Sequence, residues 1–341
     1  MRLNPLYVAA LITFIPSTLA QWGGGGHRHR TSSTTTSTTT TPAPAQDTGS
    51  TTPSTSDTPP PPSTGGAHKG FNYGATTNSA GTDFQTEFAA AQALSGTSGF
   101  NSARLYTMIE NGTTDTPSTA FQAAINTGTT LLLGIWCSSG QTIVTNELNA
   151  LAAAMKQFPK LDSLVVGISV GSEDLYRETS GTGAGASAAT LLTYISQTRT
   201  AMTSAGVSWQ LGHVDTANVW QGSDGASVID KIDWIGADVY PYYSSGSPSS
   251  LSDFTSGMSV IPNTKPVWVT ETGWPTSGTF SGTSSVASTG NAETYWKTVG
   301  CGHLFGATNT WWYTFYDGDV SLPFAVSPSA GGTSPKYSLA C

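Results

Sequence analysis

From Lys69 onward, short β-branched and apolar runs alternate with longer, alanine-rich amphipathic stretches. The runs that predict strands are Lys69–Tyr73, Ser102–Thr107, Thr130–Trp136, Ser163–Val170, Ser208–Val214, Trp234–Tyr240, Pro266–Thr270 and Thr310–Phe315. The stretches that predict helices include Phe84–Leu94, Ser118–Asn126, Asn146–Phe158, Ala188–Ala205 and Asn291–Phe305. Strands separated by segments of crossover length indicate parallel βαβ units.

Eight such units in about 270 residues match the usual size of a (β/α)8 barrel, the TIM barrel. An open doubly wound sheet is the runner-up, but no glycine-rich phosphate-binding loop follows the first predicted strand. The sequence therefore predicts a barrel domain over residues 67–341. In this fold the chemistry lies at the carboxyl ends of the strands.

The chain ahead of this domain has a different character. Residues 1–20 read as a secretory signal peptide, because Arg2 precedes an apolar run that is too short to span a bilayer and a small-residue cleavage site follows. Residues 21–66 are rich in Ser, Thr and Pro and predict a disordered linker, either O-glycosylated or unmodified. The chain ends at Ser338–Cys341 without the hydrophobic tail of a lipid-anchor (GPI) signal. We expect a secreted protein, extracellular or associated with a cell wall.

Composition narrows the class of ligand. Only 10% of the residues are charged, the net charge is −8, and no basic patch could serve a nucleic acid backbone. No His/Cys/Asp cluster has the spacing of metal ligands, so neither a metal nor another cofactor is implied. This composition suits a neutral polar ligand, because charged residues are scarce, Gly, Ser and Thr are abundant, and ten tryptophans are present. We expect a monomer with no transmembrane segment.

Three cysteines in an oxidising compartment leave one unpaired. Cys301 with Cys341 is the favoured pair, because that bridge would tie the C-terminal tail to the last helix, although Cys137 could pair with either. Asn111 begins the one acceptable N-glycosylation sequon, in the loop after the second strand.

Two glutamates stand at predicted strand ends. Glu271 lies in Val267–Pro275, where a buried strand gives way to Thr-Gly-Trp-Pro, and Glu173 lies in Val170–Arg177 at the end of the fourth strand. A charged side chain at the end of a buried strand must be ion-paired, hydrogen-bonded or part of a functional site. Glycoside cleavage needs two carboxyl groups, separated by roughly 5–5.5 Å for retention or roughly 6.5–9.5 Å for inversion. A structural ion pair is the competing interpretation of each.

The segment Val267-Trp-Val-Thr-Glu-Thr-Gly-Trp-Pro275 resembles the signature of glycoside hydrolase family 17, the β-1,3-glucanases. Gly70–Gly74, Ser102–Tyr106 and Val170–Arg177 are similar to its other blocks, most closely in fungal secreted or wall-attached members. The resemblance implies a retaining (β/α)8 enzyme acting on β-1,3-glucan, with Glu271 as nucleophile and Glu173 as acid/base. The wider clan usually carries Asn where this chain has Ser172.

Further side chains at the strand ends are candidates for substrate binding. They are Asn72, Tyr73, Arg104, Tyr106, Trp136, Ser172, Asp215, Tyr240, Trp274 and Trp312. Arg104 would keep Glu271 ionised or form a structural salt bridge, and Tyr240 would donate to Glu271 or pack in the core. The three tryptophans are predicted sugar platforms, of which at least one is expected to be core.

The leading hypothesis is a retaining endo-β-1,3-glucan hydrolase. Transglycosylation differs only in whether water or another glucan accepts the glycosyl group, and the candidate residues do not separate the two. A non-catalytic glucan-binding wall protein would suit the Ser/Thr-rich linker, but both carboxylates are present. A barrel glycosidase acting on xylan or mannan is a weaker alternative.

Overall fold

The structure is a computed structural model that describes residues 66–74 and 83–341. The predicted signal peptide and the linker, apart from Gly66, lie outside the described residues.

Eight parallel strands form a closed barrel in sequence order, with the last strand beside the first. They are β1 (Lys69–Tyr73), β2 (Phe100–Leu105), β3 (Thr130–Ile135), β4 (Val165–Ser172), β5 (Leu211–Thr216), β6 (Trp234–Asp238), β7 (Val267–Glu271) and β8 (Thr310–Trp312). The predicted (β/α)8 barrel is confirmed, and the open doubly wound sheet is wrong because β8 pairs with β1.

Helices cover the outside of the barrel. They are α1 (Phe84–Gln92), α2 (Ala120–Thr127), α3 (Gln141–Gln157), α4 (Asp174–Ser180), α5 (Ala188–Ala205), α6 (Ser223–Ile229), α7 (Leu251–Met258) and α8 (Thr289–Tyr295). The last predicted helix differs from the structure: α8 continues as a π-helix over Trp296–Leu304. Short 3-10 segments occupy Asp162–Leu164, Ala217–Gln221 and Pro241–Ser244.

The end of β4 differs from the prediction in a way that matters for function. The sequence predicts this strand over Ser163–Val170. In the structure Asp162–Leu164 forms a 3-10 turn, and β4 begins after it and continues to Ser172. Glu173 therefore follows the last strand residue and directly precedes α4, a helix that the sequence pattern did not predict. The strand thus fixes the backbone that leads into this carboxyl group.

Three tryptophan rings fill the lower part of the barrel interior. Trp234 and Trp268 stack with ring centroids 4.1 Å apart, and Trp311 lies 6.0 Å from Trp268. Gly212 is the register partner of Trp234 on the neighbouring strand β5, and a Cβ there would lie 2.3 Å from the Trp234 ring, so only glycine fits. This rigid apolar floor supports the polar groups above it.

The C-terminal tail is held against the last helical segment. Cys301 and Cys341 form a disulfide with a Cα–Cα distance of 5.4 Å, and Cys137 is a buried free thiol. The Trp296 indole N–H donates to the Leu339 carbonyl at 3.0 Å. Within residues 66–74 and 83–341, no helix combines the length and apolar character needed to cross a bilayer.

The disulfide should contribute measurably to stability. Cys301→Ser opens a cross-link across 40 residues, which should lower the free energy of unfolding by about 4 kcal/mol because the unfolded chain regains loop entropy. Urea unfolding followed by tryptophan fluorescence measures this. Cys137→Ala, which leaves the bridge intact, is the control, and equal stability of Cys301→Ser and wild type would contradict the expectation.

Candidate active site

A polar layer lies above the tryptophan floor, at the carboxyl ends of the strands. Asn72 on β1 and Arg104 on β2 are register partners, and both are buried. The Asn72 side chain donates to the carbonyls of Thr270 and Trp311 and accepts from Arg104 at 3.0 Å. Asn72 therefore links three strands beneath the site and orients the guanidinium group.

Arg104 connects the two catalytic candidates. Its Nη1 donates to Oε1 of Glu271 at 2.7 Å, and its Nη2 donates to the Ser172 hydroxyl, next to Glu173, at 2.9 Å. Burial alone would lower the pKa of Arg104, but Tyr106, Asp238 and Glu271 raise it, so the guanidinium stays charged. One guanidinium group therefore reaches both β4 and β7.

Glu271, 2% exposed, receives three charge-assisted or phenolic hydrogen bonds. Arg104 and the Tyr106 hydroxyl donate to Oε1, the latter at 2.6 Å, and the Tyr240 hydroxyl donates to Oε2 at 2.8 Å. Hydrogen bonds to a carboxylate favour its ionised form. The arrangement fixes both oxygens of an anion, as a nucleophilic carboxylate requires.

Glu173 lies in the opposite electrostatic setting. Its backbone is left-handed, with φ 57°, and its N–H donates to the Val214 carbonyl at 2.8 Å. Burial first and the charge of Glu271 second raise the pKa of Glu173 to about 8, against the lowering effect of Arg177. Arg177 donates to its Oε2 at 3.0 Å. Glu173 thus holds a proton at neutral pH, as a general acid must.

Two buried aspartates flank the left-handed turn. Asp174 accepts from the Ser172 N–H at 2.8 Å, and Asp215 accepts from the Leu175 N–H at 3.0 Å. His213 lies between β4 and Asp215, with Nδ1 2.6 Å from the Val170 carbonyl and Nε2 3.1 Å from Asp215. These groups hold the backbone on both sides of Glu173.

The surroundings of His213 favour its protonated form. Both of its ring nitrogens lie within hydrogen-bond distance of oxygen atoms, and an imidazolium can donate to both. Burial lowers the pKa of His213, but the hydrogen bond to Asp215 and its charge raise it above the ordinary value. Asp215 is fully buried on the helix-facing side of β5. Its predicted role in substrate binding is therefore wrong, and it supports the acid/base turn instead.

Three other predicted binding residues lie in the core. Tyr73 faces outward and packs against Phe88, with ring centroids 5.0 Å apart. Trp274 is fully buried and donates to the Val286 carbonyl, and Trp312 is fully buried beside Trp296. The prediction that these side chains bind substrate is wrong, because none presents a face to the site.

The remaining candidates fall at or near the rim. Trp136 is 45% exposed and is the one predicted platform with a free face. The hydrogen-bond network around Glu271 contains five of them, which are Asn72, Arg104, Tyr106, Ser172 and Tyr240. Asn111 is exposed in its loop. Their roles toward a substrate stay predictions.

The sequence pattern missed several groups beside the carboxyls. Tyr313 is half-buried and lies next to Tyr240, with ring centroids 6.2 Å apart. Alternation along β8 places it on the same side as Trp311, which the structure shows in the barrel interior. Arg177, which is not among the predicted site residues, pairs with Glu173. Among the residues that the structure describes, no three His, Cys, Asp or Glu side chains cluster to hold a metal ion.

The chain forms a closed parallel barrel with two buried glutamates at its strand ends. This is a (β/α)8 scaffold with a two-carboxyl site of the kind used on glycosidic bonds. Residues 70–323 match the BtgE/BtgC glycoside hydrolase domain. The chain belongs to this family of glycoside hydrolase domains. The relationship to glycoside hydrolase family 17 indicated by the motifs is also confirmed.

Two relatives carry the name probable glucan endo-1,3-beta-glucosidase. The protein from Aspergillus oryzae is 45% identical over 296 residues, covering 81% of this chain and 63% of its own. The protein from Aspergillus clavatus is 46% identical over 299 residues, covering 82% and 65%. The chain thus spans just under two thirds of the length of these relatives.

A solved structure shares the fold. An active-site mutant of Rhizomucor miehei beta-1,3-glucanosyltransferase in complex with laminaritriose superposes with a TM-score of 0.65 at 24% identity. The match covers 80% of this chain and 98% of that one. It supports the barrel assignment.

Arg177 should set the position of the basic limb in a pH–rate profile. The rate kcat/KM should fall as pH rises through about 8, where Glu173 loses its proton. Arg177→Gln removes a cation that lowers this pKa, so the limb should move to higher pH. The profile on a soluble β-1,3-glucan measures it.

Arg199→Gln is the matched control, because Arg199 pairs with Asp233 on the surface, away from the site. A basic limb that stays in place in Arg177→Gln, or that moves equally in the control, would show that Glu173 does not control it.

Proposed function

We propose that this chain is a retaining endo-β-1,3-glucan hydrolase that works by double displacement. The observation that carries the proposal is the different surroundings of two buried carboxyls at the carboxyl ends of β4 and β7. Arg104, Tyr106 and Tyr240 stabilise Glu271 as an anion, whereas burial and the charge of Glu271 keep Glu173 protonated. This asymmetry suits a nucleophile and a general acid.

In the first step, the Glu271 carboxylate attacks the anomeric carbon as the glycosidic C–O bond breaks. Glu173 gives its proton to the leaving oxygen, and a glycosyl ester forms on Glu271. Loss of the Glu271 charge then lowers the proton affinity of Glu173. Glu173 can now take a proton from water, whose oxygen attacks the anomeric carbon. The bond from that carbon to Glu271 breaks with its electron pair and releases the carboxylate.

Retention is what the resemblance to glycoside hydrolase family 17 implies. The two terminal nitrogens of Arg104 contact Glu271 and Ser172, so the ends of β4 and β7 lie within the span of one guanidinium group. The Ser172 hydroxyl belongs to this network because it accepts a hydrogen bond from Nη2 of Arg104.

The choice of β-1,3-glucan rests on the family and on the names of the Aspergillus relatives. Trp136, exposed at the rim, is the proposed platform for one sugar face. Secretion is supported by the signal-like residues 1–20 and by the Cys301–Cys341 disulfide.

Removal of each carboxyl with azide rescue tests the roles directly. On a laminari-oligosaccharide, Glu271→Ala and Glu173→Ala should each lose several orders of magnitude in kcat, because each removes an obligatory chemical group. With an activated aryl glycoside, azide should restore Glu271→Ala and give an α-glycosyl azide. With Glu173→Ala it should give the β-azide, because this residue faces the opposite side of the sugar.

Glu293→Ala, which alters an exposed glutamate paired with Lys297, is the control and should keep the wild-type rate. Near-normal turnover in either active-site variant, with an unchanged fold, would contradict the assignment. Glucan binding by the wild-type protein without turnover at any pH would favour the wall-binding alternative.

A further inference from the structure

Two side chains that the catalytic mechanism does not use lie between Glu173 and Glu271. Thr216 ends β5 and Asp238 ends β6, and the two are register partners. Asp238 is also the register partner of Glu271 on β7. Because β5 and β6 separate the strands of the two glutamates, Thr216 and Asp238 complete the polar layer on that side.

Both side chains carry a buried polar atom without a partner. Oδ1 of Asp238 accepts from the Thr270 hydroxyl at 2.7 Å. Among the described residues, Oδ2 of Asp238 and Oγ1 of Thr216 have no hydrogen-bond partner. The two residues are only 4% and 8% exposed. Buried polar atoms are nearly always hydrogen-bonded, so an adjacent unpartnered pair indicates a ligand oxygen.

The unpartnered atoms belong to residues that line one cavity. It measures about 260 Å³, and its walls include Glu173, Thr216, Asp238, Tyr240 and Tyr243. Glu271 is not among the lining residues within the described part of the chain. The cavity therefore includes the acid/base and extends between the segments after β5 and β6 toward α7. In a retaining enzyme, the leaving group departs and an acceptor arrives beside the acid/base.

The size and chemistry of the cavity favour a sugar over a single water. One water takes up roughly 30 Å³ of liquid volume, a small fraction of this space. Burial first and the charge of Glu271 next raise the pKa of Asp238 well above its ordinary value, against the effect of Arg104. A neutral carboxyl bonded through Oδ1 leaves Oδ2 to carry the proton and donate it.

We propose that Thr216 and Asp238 bind a hydroxyl group of an acceptor sugar beside Glu173, and so raise the share of glycosyl groups that pass to a glucan chain instead of to water. The inference rests on the proposed function. In the transfer step another hydroxyl of the acceptor attacks the anomeric carbon of the ester. The bond to Glu271 breaks with its electron pair, and the proton passes to Glu173.

The ratio of transfer to hydrolysis tests the proposal. Laminaripentaose is turned over with increasing laminaribiose as acceptor, and the products are counted by chain length. Thr216→Val keeps the shape and removes the hydroxyl, and the ratio should fall about three- to tenfold, as for loss of one hydrogen bond. Asp238→Ala should lower it likewise, whereas Asp238→Asn, which can still donate, should restore most of it.

Two further measurements separate this role from a structural one. If Asp238 is neutral, Asp238→Asn leaves the basic limb of kcat/KM at its wild-type pH. A limb moved to lower pH would show that Asp238 is ionised and would overturn the proposed donor. Thr198→Val, which removes a buried hydroxyl bonded within α5, should leave the ratio unchanged.

A binding measurement removes the dependence on turnover. In the Glu271→Gln background, calorimetry with laminaritetraose should show three- to tenfold weaker affinity when Thr216→Val is added. An unchanged ratio together with unchanged affinity would overturn the proposal and mark the atoms as a water site. Wild-type protein that neither binds nor cleaves β-1,3-glucan would instead overturn the proposed function.

Discussion

The ion pair between Arg104 and Glu271 is the interaction on which the site depends. Both side chains are almost fully buried, so each would be costly without the other. The guanidinium also bonds Asn72 and Ser172, which ties β1, β2, β4 and β7 to one charged group. Burial first, and the negative charge of Glu271 second, raise the pKa of Glu173. The two glutamates therefore lie in different surroundings, one held by Arg104 and two tyrosine hydroxyls and the other desolvated beside a second carboxyl group.

The barrel supplies the rigidity that this arrangement needs. The stacked Trp234 and Trp268 fill the interior below the site, and Gly212 leaves the space that the rings occupy. On the outer side, Asp174, His213 and Asp215 hold the left-handed turn at Glu173. Strained backbone of this kind persists only where the surroundings over-determine it. The site is thus supported from the interior and from the helix side.

Much of this arrangement could be predicted from the sequence, and the failures have a common physical cause. Apolar periodicity located the strands, and two strand-end glutamates in family-like segments located the carboxyls. Both faces of a parallel barrel strand are buried, so alternation does not tell which face looks inward. Because of this ambiguity, Asp215 and Trp312 were wrongly predicted to bind substrate, and Thr216 was not predicted to lie near the site. Register shifts beside Ser172 and Asp238 complicate the strand ends further.

Glu271 is proposed as the nucleophile, and its charge adds to burial in raising the pKa of Glu173. Trapping the enzyme with a 2-deoxy-2-fluoro laminaribiosyl fluoride and then titrating the carboxyls by carbon-13 NMR tests this most directly. We expect an ester on Glu271 and a pKa for Glu173 clearly lower than in the free enzyme. A label on another residue, or a pKa of Glu173 that does not fall on trapping, would contradict it.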